Sequence, residues 1–263
     1  MATVDDVCRM LEQFAPTHLA ESWDNVGLLV GDRAAPLTRI MTCLTVTPDS
    51  AAEAVQQQAE LVVTHHPLPF HALKRLTTDD VPGQLLLQLI RAGVAVFSPH
   101  TAFDSAAEGI NQRLAEGLRI TGIAPLEPVE DDPDGLGAGR FGQLDAPTPL
   151  AALAERLKRL LAIDRLRFVG DADRPIEHVA VACGAAGQFL GAAREQGCDL
   201  LVTGETTFHT CLEAQATGVA LLLPGHYASE RFAVERLAEV IAAEFPDLQV
   251  WASRDEADPL QWG

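Results

Sequence analysis

Positive charge is scarce in this chain, with 19 Lys and Arg against 37 Asp and Glu and a formal charge of -18. Such a surface repels a phosphate backbone rather than neutralising it, which excludes non-specific nucleic-acid binding. Long apolar runs are missing too, the strand-like stretches breaking off within about six residues, so no membrane span is expected. The first residues carry Asp5 and Asp6 where a signal peptide needs basic residues and then an apolar stretch. That predicts a cytoplasmic protein. The five cysteines are an odd number with no C-x-x-C pair, in a chain large enough not to need staples. They read as reduced, mostly buried thiols. The excess of carboxylates suits a protein handling divalent cations, although most of that charge is expected to be solvated surface.

What is present is ample for a core: 263 residues, 48% of them apolar and 21% charged, the composition of a folded globular protein rather than a disordered one. An opening helix is expected where Val7, Cys8, Leu11 and Phe14 recur at helical spacing, capped by Thr3 or Asp5 and stopped by Pro16. One grammar then repeats. A short apolar strand (40 to 46, 60 to 63, 94 to 97) is followed by a loop rich in His, Gly, Pro, Ser or Thr, and then by a helical pattern. Between Pro125 and Pro149 prolines, glycines and acidic residues crowd together, which reads as a linker or an irregular start to a second domain. Beyond it the grammar resumes, with a helix over about 150 to 162, strands near 166 to 169, 178 to 182, 200 to 203 and 219 to 223, a helix over 229 to 245 and an edge strand at 248 to 252. Alternating strands and helices indicate an α/β protein with mostly parallel sheets. Two α/β lobes are expected, the first from residues 1 to 126 plus about 224 to 263, the second from 127 to 223.

In an open parallel sheet, ligands bind beyond the carboxyl ends of the strands. Three strand ends carry unusual residues. After Val63 come His65 and His66, which point to opposite sides in an extended chain and serve one site only if the chain bends or the site holds two ions. After Phe97 come His100 and Asp104, four apart and therefore on one face if a helical turn begins at Pro99. After Leu223 come His226 and Glu230, again four apart at the start of a helix, with Gly225 letting the backbone come close. Imidazole and carboxylate groups are seldom buried without a partner. A metal resolves that for all of them together, and the mixture suits Zn, Mn, Fe, Co or Ni better than Ca. The number of groups exceeds what one ion needs, which favours a dinuclear site.

These residues also resemble the Nif-three-like dinuclear-metal-centre family, also called GTP cyclohydrolase type-two homologues. The resemblance runs through Trp23-Asp24-Asn25-Val26-Gly27-Leu28, Thr64-His65-His66-Pro67, His100-Thr101 with Asp104, Gly139-Arg140, Cys183-Gly184, Thr203-Gly204-Glu205, Gly225-His226-Tyr227 with Ser229-Glu230, and Asp258-Pro259-Leu260. It implies two divalent ions in a cleft between the lobes, held by His65, His66, Asp104, His226 and Glu230, and a ring-shaped homohexamer; of these ligands Glu230 is expected to be the bridging carboxylate. His100 then becomes a neighbour of the site. One departure stands out: Thr45 occupies a position where many members have Asp.

Weaker signals remain. Cys183 to Gln188 follows a strand and opens a helix, so its amides could hold a phosphate, though the loop lacks the first glycine of the dinucleotide fingerprint and a tight turn explains it equally well. Glu205 and His209 are four apart and could support the metals or contact a substrate. Ser229 lacks a base and an orienting group around it, and reads as a helix cap. The leading expectation is a metal-dependent hydrolase acting through water activated by two ions, with His100 or Glu205 moving protons and a small-molecule substrate, which the family name implies is GTP. The alternative is a metal carrier or a hexameric scaffold without turnover.

Overall fold

The computed structural model describes residues 1–261. In chain order its elements are α1 (Val4–Phe14), β1 (Gly27–Val30), β2 (Arg39–Cys43), α2 (Pro48–Gln56), β3 (Leu61–Thr64), α3 (Val81–Arg91), β4 (Ala95–Ser98), α4 (His100–Ser105), α5 (Ile110–Gly117), β5 (Thr121–Ala124), β6 (Glu127–Pro128), β7 (Gly137–Ala138), β8 (Arg140–Pro149), α6 (Leu150–Leu161), β9 (Arg167–Val169), β10 (Pro175–Ala182), α7 (Leu190–Glu195), β11 (Leu200–Thr203), α8 (Phe208–Thr217), β12 (Ala220–Leu223), α9 (His226–Glu244) and β13 (Gln249–Ala252). The chain divides into two compact units, one made of Met1–Phe103 and the residues from Ala233 onward, the other of Asp104–Phe232.

Local chemistry sets the helix starts. Thr3 and Asp6 form a reciprocal capping box at α1, the Thr3 hydroxyl accepting from the Asp6 amide at 3.3 Å and the Asp6 carboxylate accepting from the Thr3 amide at 2.9 Å. Val7, Cys8 and Leu11 then face inward, as their spacing predicts. At α2 Thr47 and Ser50 cap in the same way, with Pro48 at the first helical position, where its missing N–H costs nothing.

In unit 1 the five strands run in the order β1-β4-β3-β2-β13. Strands β13, β2, β3 and β4 are parallel and β1 closes the edge antiparallel to β4. Every residue of β3 and β4 is buried, the signature of strands covered on both faces. Met41, Val62 and Val96 pack there with Leu85, Leu86 and Leu89 of α3. In unit 2 the order is β5-β8-β10-β11-β12-β9. Its centre, β10-β11-β12, is parallel. Strands β8 and β9 flank that centre antiparallel, and β5 adds to β8. Ala180, Leu201 and Leu221 pack with Phe189 and Leu190.

The proline-rich stretch is not a linker. Residues 127–149 fold as β6, β7 and β8 inside unit 2, and β8 lies between β5 and β10. The breakers that hid this strand have local reasons. A Cβ at Gly142 would stand 2.5 Å from the Thr121 carbonyl oxygen, so only glycine lets β5 approach. The units divide at 103/104 and 232/233, within α4 and α9, whereas the sequence placed the change at 126/127 and 223/224. A boundary inside a helix carries no proline or glycine signal.

Arg140 begins β8 and is 1% exposed. Its guanidinium donates to the Gln112 side chain (3.0 Å) and to the carbonyls of Gly137, Gly139, Ser105 and Ala106 (2.7 to 2.9 Å). All five bonds go to neutral acceptors, and burial lowers its pKa. Through Ser105 and Ala106 it fixes the end of α4, next to Asp104.

Candidate metal centre

In unit 1 the parallel strands β2, β3 and β4 bring their carboxyl ends side by side. The ladder continues past β3: the His65 amide donates to the Cys43 carbonyl at 3.0 Å and the His66 amide to the Leu44 carbonyl at 2.8 Å. On the other side the Ser98 hydroxyl donates to the His65 carbonyl at 2.6 Å. The two histidines therefore sit on a backbone held from both neighbouring strands. Their ring centroids are 5.1 Å apart, so the chain bends as a shared site requires, and the His100 ring lies 5.1 Å from His65 and 5.6 Å from His66. One nitrogen from each of the three imidazoles falls within 4.8 Å of the others.

Two further residues set the ring orientations. The Thr45 hydroxyl lies 2.7 Å from His66 Nδ1, which is what this chain does with its departure from the family pattern. Asp24 Oδ1 lies 2.8 Å from His100 Nδ1, while Asp24 Oδ2 accepts from the Thr101 amide at 3.2 Å and the Thr101 hydroxyl at 2.5 Å. Burial alone would raise the pKa of Asp24, but the bonds from His100 and Thr101 outweigh it and bring it down to about 2. It is a carboxylate at any physiological pH. Its neighbour Asn25 donates to the Pro69 carbonyl at 2.8 Å, pinning the loop that follows His66. The Trp-Asp-Asn motif thus steadies two of the histidine segments, a role its sequence did not disclose.

In unit 2 the site is built by removing side chains. Gly184 has φ +66°, and a Cβ there would stand 2.3 Å from Glu230 Oε1. A Cβ at Gly204 would meet the Ser229 hydroxyl at 2.5 Å and the Gly184 carbonyl oxygen at 2.7 Å. The Gly225 amide in turn donates to the Gly204 carbonyl at 2.9 Å. The first turn of α9 can therefore lie directly on the loops after β10 and β11. Ser229 is no helix cap: it lies within that turn, its hydroxyl donating to the His226 carbonyl at 2.8 Å and accepting from the Gly184 amide at 3.0 Å.

His226 is held at both ring nitrogens, Nδ1 lying 2.9 Å from Glu205 Oε1 and Nε2 3.1 Å from Glu230 Oε2. The hydrogen bond to Glu230 raises its pKa most, burial opposes it, and Glu205 adds to the rise, which reaches about 9. The sequence pairing of Glu205 with His209 does not form the contact that matters; His209 is exposed. Asp104 accepts from the Cys183 thiol at 3.1 Å, and Asn111 ties the two residues together, donating to the Asp104 carbonyl at 3.1 Å and accepting from the Cys183 amide at 2.8 Å. Burial, then the charges of Asp104 and Glu230, hold the Cys183 thiol well above its ordinary pKa. It remains a donor to the carboxylate.

The loop from Cys183 to Gln188 commits three of its amides inside the protein. The amides of Cys183, Gly184 and Ala186 are taken by Asn111, Ser229 and Thr203, and its glycine makes room for a carboxylate. The donors at these strand and helix ends, imidazole nitrogens with carboxylate oxygens, fit a divalent transition-metal ion better than Ca or Mg. The glycine-made space at Glu230 is consistent with a carboxylate kept for a cation.

An α/β fold with buried histidines and carboxylates at its strand ends defines a class of candidate metal-binding proteins. Within it, the sequence matches the profile of the Duf34/NIF3 (NGG1p interacting factor 3) family over residues 2–259, and the chain belongs to that family. It is 32% identical over 262 residues to a protein of Clostridium perfringens named GTP cyclohydrolase 1 type 2 homolog, covering 98% of this chain and 99% of the other. It is 33% identical over 244 residues to GTP cyclohydrolase 1 type 2 of Helicobacter pylori strain J99, covering 92% of each. A solved Bacillus cereus protein related to NIF3 shares the fold, with a TM-score of 0.90 at 22% identity over 100% of this chain and 99% of that one. Among the described residues no helix is long and apolar enough to cross a membrane.

Proposed function

We propose that the protein is a metal-dependent hydrolase that holds two divalent ions with His65, His66, Asp104, His226 and Glu230. The observation that carries this reading is the convergence of metal-ligating side chains at strand ends: one nitrogen from each of His65, His66 and His100 lies within 4.8 Å of the others, and His65 and Glu230 are both buried. Two divalent ions, when bound, supply Lewis acidity and water activated near neutral pH.

The residues do the rest. His65 and His66 present imidazoles on a backbone fixed by two strands, and Glu230 would add a carboxylate oxygen. His100, its Nδ1 facing the Asp24 carboxylate, stands beside His65 and His66 where it can exchange a proton with a substrate. The names of the relatives favour GTP or a related nucleotide as substrate, and the family resemblance favours a homohexamer, which sedimentation equilibrium tests directly. Protein purified without a metal-binding tag should contain two divalent ions per chain by elemental analysis. Reconstituted with metal, it should turn over GTP or a member of a panel of esters, phosphoesters and amides. Glu230→Ala should abolish that turnover. Intact, exchangeable ions with no turnover on any substrate would point instead to a carrier or scaffold, and unchanged metal content in both Glu230→Ala and His65→Ala would defeat the ligand assignment.

A further inference from the structure

We propose that Glu205 is a positioning residue for the metal centre, its carboxylate holding His226 with the proton on Nδ1 so that Nε2 is presented to an ion. The inference rests on the metal reading above and adds to it the group that makes His226 a directed ligand.

A neutral imidazole carries one proton, and the hydrogen bond made by one nitrogen decides which nitrogen is left as the donor to a metal. Here the ring has two different neighbours, Glu205 at Nδ1 and Glu230 at Nε2. Both carboxylates only accept, so in the metal-free ring each faces an N–H; once an ion takes the place of the Nε2 proton, Glu205 keeps the N–H at Nδ1 and the lone pair lies at Nε2 on the Glu230 side.

The arrangement does not depend on a flexible reach. The Glu205 amide donates to the Gly184 carbonyl at 3.0 Å, and Gly225, next to His226, donates to the Gly204 carbonyl at 2.9 Å. Backbone bonds therefore fix both ends of the pair before the side chains meet. Carboxylates in this outer position orient a metal-bound histidine and strengthen it as a donor, and their loss typically costs 10- to 100-fold in metal affinity.

Glu205 also borders a cavity of about 360 Å³ together with Gln188, Thr206, Thr207 and Thr210, so a competing role is direct contact with a substrate. The two roles separate cleanly, because positioning changes metal affinity with no substrate present.

The test is calorimetric titration of metal-free protein with zinc, comparing wild type, Glu205→Ala, Glu205→Gln and His226→Ala, with nitrogen NMR of the His226 ring in the zinc-loaded samples. Glu205→Ala should weaken zinc binding roughly 10- to 100-fold and lose the protected Nδ1–H signal. Glu205→Gln should lose less, since its amide oxygen still accepts from Nδ1–H. Unchanged zinc affinity in Glu205→Ala, or an unchanged Nδ1–H signal there, would overturn the proposal while leaving the metal reading intact. No zinc uptake by wild type, or uptake indifferent to His226→Ala, would defeat the metal reading and this proposal together.

Discussion

The two units arrive at strand-end chemistry by opposite means. Unit 1 adds: three aromatic imidazoles pack against one another on a backbone clasped by neighbouring strands, and their outer partners include the Thr45 hydroxyl and the Asp24 carboxylate. Unit 2 subtracts: Gly184 and Gly204 give up their side chains so that a helix turn bearing His226 and Glu230 can settle on two loops. A ring cluster is held by packing, whereas a glycine-lined turn is held by backbone hydrogen bonds and by the carboxylates it admits. The first should tolerate small changes at its edges, and the second should not.

The strongest challenge to that contrast is Arg140→Met. Removing the guanidinium leaves four carbonyl groups and the Gln112 side chain without their donor, at a cost on the order of 3 kcal/mol or more. Urea unfolding should show the loss, and hydrogen exchange should place it within residues 104 to 232. Next comes Gly184→Ala. A left-handed backbone costs a β-carbon roughly 1 to 2 kcal/mol, and the new methyl would also displace the Glu230 carboxylate, so zinc stoichiometry should fall even where the fold survives. Its unit 1 counterpart, Thr45→Val, loses one neutral hydrogen bond to His66, about 1 kcal/mol. It should weaken zinc binding only severalfold in the same titration. A loss as great as that in Gly184→Ala would erase the distinction between the units.

The smallest effects separate the units by pH. His226 has a raised pKa in the metal-free protein, so its contribution to stability is complete below about 6.5 and disappears as pH climbs through about 9. Asp24 is shifted the other way: its contribution is complete above about 4 and disappears as pH falls through about 2. Hydrogen exchange on metal-free protein should therefore show unit 2 loosening at the alkaline end and unit 1 at the acid end. Both changes in the same unit would sink the assignment.

Much of this was legible from the chain alone. Apolar runs bounded by His, Gly and Thr marked β3, β4, β11 and β12, because strands buried on both faces leave an unbroken hydrophobic signature. The pair His226 and Glu230 was legible because four residues is one helical turn. What escaped were partners distant in sequence. Asp24 meets His100 across 76 positions and Glu205 meets His226 across 21, and local spacing instead suggested His209 for Glu205. Strand β8 escaped because Gly142, Pro147 and Pro149 look like breakers until β5 is seen beside it.

The C-terminal segment has a bearing on the order of events. Strand β13 pairs with β2, Glu53 accepts from the Ser253 hydroxyl at 2.6 Å and from the amides of Arg254 and Asp255, and Glu256 accepts from the amides of Leu44 and Thr45 at 2.9 and 2.6 Å. Unit 2 is one uninterrupted stretch of chain and can assemble while synthesis is still under way. Unit 1 begins first and finishes last. The loop that places a hydroxyl on His66 gains the last two of its backbone hydrogen bonds only when residues some two hundred positions later have emerged, so a nascent chain owns its imidazoles before the loop that aims one of them is complete.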